Sequence, residues 1–514
     1  MNIAGTFISL AKTRFRENVA VEQKGREIRY ATLAENVSRL GNALRHLGVT
    51  DGTVVAGLMH NRVELLETSL ACSASGAISA FMGSSSSEKE IIHALKLSDA
   101  KVLVYESDHY TITDEIRRST NVRHYIAVGA DPKGDLPYEA LKAKASDHLQ
   151  LSSYSCNTPH SIHFTSGTTG LPKGVLLAHN NWLRVYYHYV SQLDMHTSST
   201  DTALFAAPIT HASGMLVMPT LHSGGRLLVM DKFDPQEINA AISSGKVTST
   251  FMAPTMVQLL MKEMKPSERK PGRLRTIVYG GASFPVERLK EAFDIYGPVL
   301  VQGYGQWEAP ISFSTLTPEM HVDALRNHPH RLASAGTPAL FTEVAILDDD
   351  GNELESGGVG EIATAGPHLM LGYIKNPEAT SEIRSGRWQR TGDIGHIDPD
   401  GFLYVTDRKK DMIITGGMNV YPRQIEEVLY EHPQIQDACV VGMPDDLWGE
   451  TVHAVIVRKA GHDTSEREIL EWSRERLKNH QKVRSVSFVD DLPKNSTGKV
   501  LRREVRTSVV GTPV

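Results

Sequence analysis

Cysteine is nearly missing from this chain. Three occur in 514 residues, at Cys72, Cys156 and Cys439, too few and too scattered for a disulfide framework or a C-x-x-C metal site. This excludes the stapled scaffolds of small secreted proteins and suits a reducing, cytoplasmic setting. An excess of basic charge is missing as well. Lys and Arg number 54 against 60 Asp and Glu, a formal net charge of −6. That speaks against a nucleic-acid coat or a polybasic membrane binder. Two stretches, 68–87 and 202–225, carry no Asp, Glu, Lys or Arg. Serine fills much of the first, and Pro208, His211, Pro219 and His222 punctuate the second, so both are expected to be buried or loop-lining segments and not membrane spans. The N-terminus has no basic region followed by a long apolar core, so no signal peptide is expected.

Several catalytic signatures are absent too. There is no G-x-S-x-G elbow, which argues against an α/β-hydrolase. H-E-x-x-H, the Walker loop and G-x-G-x-x-G are all missing.

What is present is a long chain with 40% apolar and 22% charged residues, enough to bury several cores. Short β-branched runs alternate with amphipathic stretches. Strands are expected at 53–58, 101–105, 124–128, 226–230, 276–279 and 344–347. Helices are expected at 30–47, 63–75, 87–98, 237–244, 254–264 and 285–296. This alternation predicts an α/β fold with largely parallel sheets flanked by helices. From about Gly336 to Tyr404 the strands shorten, and Asp348-Asp-Asp-Gly351 and Asp398-Pro-Asp-Gly401 read as turns. Beyond the charged run Asp407–Asp411 lies a unit of about 100 residues, the size of an independent α+β domain. The boundary is placed between 409 and 410, giving a large N-terminal domain, 1–409, and a small one, 410–514.

One segment carries distinctive chemistry. Thr165, Ser166, Gly167, Thr168, Thr169 and Gly170 are followed by Lys173, just after an expected strand at 161–164. Glycines let backbone N–H groups approach an anion, hydroxyls add donors, and the lysine adds charge. The order of residues closely resembles the phosphate loop of the adenylate-forming superfamily, and the resemblance runs on from about residue 25 to 505. Gly280-Gly-Ala282 and Gln302-Gly-Tyr-Gly-Gln-Trp-Glu308 resemble its adenine and magnesium motif. Gly360-Glu361 and Gly372–Thr380 match another. Trp388–Asp393 resembles the ribose motif, Asp407–Asp411 with Gly416–Pro422 the hinge and following loop, and Pro493–Lys499 the C-terminal catalytic-lysine motif.

The resemblance implies roles. Thr165–Lys173 would hold the ATP phosphates. Tyr304 would pack on adenine against Gly281 and Ala282. Glu308 would contact Mg²⁺, since hard divalent ions want carboxylate oxygens. Asp393 would accept from the ribose hydroxyls, with Arg408 close by, and Lys499 would bridge the carboxylate and the α-phosphate. His211 would stand beside an acyl pocket formed with Met215, Tyr279, Gly280, Gly303 and Ser312. Lys410 would be a hinge about which the small domain alternates, taking Lys499 away and bringing the Gly416-Gly417 loop to the CoA side. The implied activity is an acyl-CoA ligase working through an acyl-adenylate with ATP, Mg²⁺ and CoA. The alternative is an adenylation enzyme loading a carrier protein's phosphopantetheine.

One residue departs from the family pattern. Trp307 stands where a threonine usually hydrogen-bonds the α-phosphate. An indole has one donor, no acceptor and much more volume. Either it crowds the α-phosphate, so that adenylation is weak or lost and only thioesterification of a preformed acyl-adenylate (acyl-AMP) remains, with a separate adenylating enzyme as partner, or it turns into the acyl pocket and adenylation survives. A second, lesser departure is Gln424, where a glutamate is usual.

Overall fold

The computed structural model describes residues 2–165, 171–192, 198–264, 272–494 and 499–510. Parallel strand–helix–strand units build its two large sheets. In the first, Val54–Leu58 is buried at every position and pairs in parallel with Ile78–Phe81 and Val102–Glu106. Such strands read as unbroken apolar runs because helices cover both faces. The eight strands run in the order 372–373, 173–178, 159–165, 78–81, 54–58, 102–106, 124–128, 136–137. The second sheet has nine strands, ordered 337–338, 309–316, 300–306, 276–280, 249–252, 202–205, 226–229, 19–23, 26–29.

One continuous core lies between these sheets. It joins Val55 and Val102 of the first to Phe205, Val278 and Val301 of the second. Helix Tyr30–His46 contributes Leu33, Val37, Leu40 and Leu44, which recur every three or four residues and so lie on one face. The Tyr30 hydroxyl donates to the carbonyls of Leu221 and Gly225, at 3.1 and 2.6 Å. This pins the uncharged stretch 202–225, which folds into a buried strand, a 3-10 turn and a short helix. The other uncharged stretch supplies the buried end of helix Val63–Ser75 and the strand Ile78–Phe81. Among the described residues no helix is long and apolar enough to cross a membrane.

A third, five-stranded sheet is built from 343–347, 360–365, 384–385, 388–397 and 403–408. The expected turn at 398–401 joins its last two long strands, with Asp398 Oδ1 accepting from the backbone N–H of Asp400 and Phe402. After Arg408 comes a short 3-10 turn, Lys409–Asp411, and then the fourth sheet opens at Ile413. Helices Pro422–Tyr430 and Glu466–Arg476 pack on that sheet through Ile425, Leu429 and Ile469.

Most expected elements occur within a few residues of their expected ends, Val63–Ser75 and His124–Val128 among them. In the fourth sheet Ile435–Asp445 pairs antiparallel with Gly449–Arg458. The ladder extends to Asp445 opposite Gly449. Helix Ile3–Lys12 was not among the expected elements. Asn2 caps it by accepting from Gly5 N–H at 2.9 Å, and Phe7 and Ala11 are buried.

Candidate active site

Two neighbouring strands of the third sheet place Asp393 directly opposite Arg408. The Asp393 carboxylate is buried and receives Arg408 Nε at 2.6 Å. Its other oxygen accepts from the Tyr304 hydroxyl, also at 2.6 Å. Tyr304 comes from another sheet, on the strand Leu300–Gln306. Burial, then the charge of Asp393, holds its phenol well above the ordinary range, so it stays a donor. Three residues from two sheets thus form one polar triangle.

This triangle lines a cleft of about 1380 Å³. Gly281, Ala282, Gly303 and Tyr304 form part of its wall, and Lys499 enters from the C-terminal unit. Gly281 has φ of +80°, which turns the chain sharply after strand Thr276–Gly280 and leaves no Cβ in the cleft. Burial, then the neighbouring Arg408, lowers the Lys499 pKa, while Asp393 and Asp411 oppose the shift. The ammonium therefore sits within electrostatic reach of the Asp393–Arg408 pair. The two units are tied together near this cleft: Arg423 donates its backbone N–H to Asp407 Oδ2 at 2.8 Å and its guanidinium to Val405 O at 2.7 Å.

Of the phosphate-loop candidates, Thr165 and Lys173 lie near one edge of the first sheet. Strand Pro159–Thr165 runs antiparallel to Lys173–Ala178, with Thr165 opposite Lys173. Ser166, Gly167, Thr168, Thr169 and Gly170 lie outside the described residues. Glu308 sits at the tip of the hairpin formed by Leu300–Gln306 and Ala309–Leu316. Its charge reaches Arg408, and its Oε1 accepts from the Tyr373 hydroxyl at 2.7 Å.

The profile of the AMP-binding enzyme family matches residues 9–374, and that of its C-terminal domain matches residues 424–499. The chain belongs to the AMP-binding enzyme family. A feruloyl-CoA synthase of Amycolatopsis is 35% identical over 95% of each chain. The crystal structure of ATP-bound MatB from Rhodopseudomonas palustris matches at a TM-score of 0.89 and 27% identity, over 99% of each chain. The o-succinylbenzoate CoA synthetase MenE from Bacillus subtilis, solved with its acyl-adenylate intermediate, matches at a TM-score of 0.84 and 27% identity, over 98% of this chain and 97% of that one.

In this AMP-binding enzyme the acyl-pocket candidates divide. Gly303 lines the cleft. Gly280 lies beside it, on a strand so close that a Cβ would come within 2.4 Å of Gly303 O. His211 is placed just before the 3-10 turn Ala212–Leu216, its Nδ1 at 3.0 Å from Thr210 Oγ1. Burial lowers its pKa, so the ring is neutral at neutral pH. Met215 is packed in the main core. Tyr279 is not brought to the cleft: it is 1% exposed, and its hydroxyl meets His321 Nε2 at 2.8 Å in the core beneath. Strand alternation explains this, since neighbouring residues point to opposite faces. The side chain of Ser312 lies outside those described.

Trp307 does not stand free in the cleft. Its ring stacks on His163, with centroids 3.7 Å apart and planes 15° from parallel. Trp182 approaches it at 6.4 Å and donates Nε1–H to Ser161 Oγ at 2.8 Å, which also meets His163 Nε2 at 3.0 Å. Burial, then His211, pushes His163 down to about 3, so a neutral imidazole faces the indole. The expectation that Trp307 crowds out adenylation gains no support from this packing.

Lys410 occupies the 3-10 turn between the third and fourth sheets. Gly416 and Gly417, with φ of +56° and +76°, turn an exposed hairpin, and Trp448 covers Gly416 so closely that a Cβ would lie 2.7 Å from its ring. Gln424 shares a 2.7 Å hydrogen bond with Gln481 on its own unit. Glu361 belongs to the Gly360-Glu361 motif. It accepts from Arg390 at 2.9 Å and from Gly392 N–H at 3.2 Å, so it shapes the turn that presents Asp393. The His163–Trp182 pairing was missed, because nothing in linear order relates either residue to Trp307.

Proposed function

We propose that the enzyme is an AMP-forming acid–thiol ligase that makes acyl-CoA through an acyl-adenylate. The observation that supports this is that Lys499 lines the same cleft as Asp393, Arg408 and Tyr304, within reach of the charges of Arg408 and Asp393. A carboxylic acid oxygen attacks the α-phosphorus of ATP and pyrophosphate leaves. Lys499 offsets the negative charge that gathers there. The CoA thiolate then attacks the acyl carbonyl and AMP departs. Asp393 holds the ribose, and Gly281, Ala282 and Tyr304 form the adenine wall. The segment Thr165–Lys173 takes the β- and γ-phosphates.

Glu308 fits a magnesium site. It offers a hard carboxylate oxygen beside the phosphate-loop strand, and Mg²⁺ is commonly held by one or two carboxylates plus substrate phosphates. When bound, the ion would neutralise phosphate charge. Domains 1–409 and 410–514 would alternate about Lys410, with the Gly416-Gly417 hairpin serving the CoA step.

We read the acid as one with an aromatic body, since the Trp307–His163 stack and the neutral His211 offer flat, uncharged surfaces. Feruloyl and o-succinylbenzoyl groups, named for two relatives, are both aromatic. CoA is the acceptor, as in those names, and a carrier-protein acceptor has no observation in its favour.

The test is ATP–pyrophosphate exchange across a panel of aryl and alkyl acids, then product analysis with CoA or a phosphopantetheinylated carrier. Exchange with aryl acids and acyl-CoA as product is expected. No exchange with any acid, with turnover of synthetic acyl-adenylates, would instead support loss of the first step. Trp307→Ala is expected to raise KM for an aryl acid by up to about tenfold, since an aromatic pair is worth about 0.5–1.5 kcal/mol beyond its buried area. Trp307→Thr is expected not to raise exchange above the native rate, and an increase would show that the indole obstructs adenylation. Initial rates against acid concentration check both.

A further inference from the structure

The motif Gly372–Thr380 has no part in the scheme above, yet it touches both sides of the phosphate site. Residues Gly372 and Tyr373 add a short strand to the outer edge of the first sheet, opposite Leu176 and Val175. Two more backbone bonds flank it: Leu371 N–H to Leu176 O at 2.9 Å and Ile374 N–H to Gly174 O at 2.8 Å. Ile374 lies so near Gly174 that a Cβ there would come within 2.7 Å of it. The close approach needs that glycine, which directly follows Lys173. Thr380 accepts from Tyr373 N–H at 2.9 Å through Oγ1, and Asn376 caps the helix that carries Thr380.

From this anchored position the Tyr373 hydroxyl donates to Glu308 Oε1 at 2.7 Å. The Lys173 ammonium lies 4.8 Å from the centre of the same ring. Glu308 sits on a hairpin tip between strands Leu300–Gln306 and Ala309–Leu316. Its backbone carbonyl accepts from Met370 N–H at 3.0 Å and Gln389 Nε2 at 2.7 Å. Those two bonds fix the main chain, and Tyr373 orients the carboxylate.

We propose that Tyr373 is a positioning residue for Glu308: one side chain sets the direction of the metal-side carboxylate and its distance from the phosphate-loop lysine. The proposal rests on the reading of Glu308 as the magnesium carboxylate. The hydroxyl fixes one carboxylate oxygen and leaves the other for the ion. The ring holds Lys173 by cation–π attraction, so lysine and carboxylate are kept apart and both face the polyphosphate.

Tyr373→Phe keeps the ring and removes the hydroxyl. Partners that orient metal ligands typically account for about 10–100-fold in metal affinity. We therefore expect the Mn²⁺ concentration for half-saturation in the presence of a non-hydrolysable ATP analogue, followed by the EPR signal of free Mn²⁺, to rise about tenfold or more. The KM for Mg²⁺ in ATP–pyrophosphate exchange should rise alongside it. Thioester formation from a preformed acyl-adenylate, which involves no polyphosphate, should be unchanged, as should the melting temperature of the nucleotide-free protein. Unchanged Mn²⁺ binding in Tyr373→Phe overturns the proposal, and so does equal loss of both half-reactions. Glu308→Gln is the second variant: if it leaves Mn²⁺ binding intact, the metal reading of Glu308 fails, whatever Tyr373→Phe does. The binding readout needs no acid substrate, so it stands even if exchange fails.

Discussion

Lys499→Ala is expected to lower acid-dependent ATP–pyrophosphate exchange by roughly 10²–10³-fold, the usual cost of removing one preorganised group that stabilises transition-state charge. Thioester formation from a synthetic acyl-adenylate and CoA is expected to stay within about twofold of native, because no phosphoryl transfer remains for the ammonium to assist. The measurement is a pair of initial rates on the same preparation. Equal loss of both would contradict the assignment and point to a structural role. A pH profile separates the same two steps. Burial and Arg408 lower the Lys499 pKa, so its charge is lost at a lower pH than for an ordinary lysine, near 10.4. Because kcat/KM reports the free enzyme, exchange should show an alkaline limb below that value. Turnover of preformed adenylate should lack it, and so should residual exchange by Lys499→Ala.

The second large effect is at Asp393. Its carboxylate is the shared acceptor for Tyr304 and Arg408, each at 2.6 Å, and is proposed to take the ribose hydroxyls as well. Hydrogen bonds to a charged group are worth about 1.5–3 kcal/mol each. Asp393→Ala should therefore weaken AMP and ATP binding by about 10²-fold or more, read by titration calorimetry. It also leaves the Arg408 guanidinium without this carboxylate partner, so the melting temperature should fall. Asp393→Asn keeps the shape and removes the charge. It is expected to recover most of the stability and little of the nucleotide affinity. An asparagine variant that binds AMP as the native protein does would remove Asp393 from the ribose site.

Elements with strong local signals were readable in advance. The run at 54–58 is apolar throughout and forms a strand buried at every position. Helix Glu88–Ser98 begins after Ser87, whose side chain and that of Glu90 make the reciprocal bonds of a capping box. The sequence offers little for contacts between distant segments. Tyr304 and Asp393 lie 89 residues apart, and no spacing rule relates them. Tyr373 and Glu308 are 65 apart and meet only because a two-residue strand docks on the sheet edge. Tyr279 packs in the core against His321 and not in the cleft; its motif position says nothing about which face of the strand it occupies.

Trp307 shows the division most clearly. Through its resemblance to the adenylate-forming superfamily, the sequence implied that an indole stands where a threonine is usual, with more volume and a different donor count there. Two outcomes were open, because a side chain at a hairpin tip can turn either way. The tertiary structure supplies His163, Trp182 and Met370 as its packing partners. Motif order pointed to the family, since each motif is a local run of residues. The packing of Trp307, the contacts of Tyr373 and the position of Lys499 in the cleft depend on sheets that bring remote segments together. Burial and hydrogen bonding at those contacts are properties of the packed chain and are carried by no segment alone.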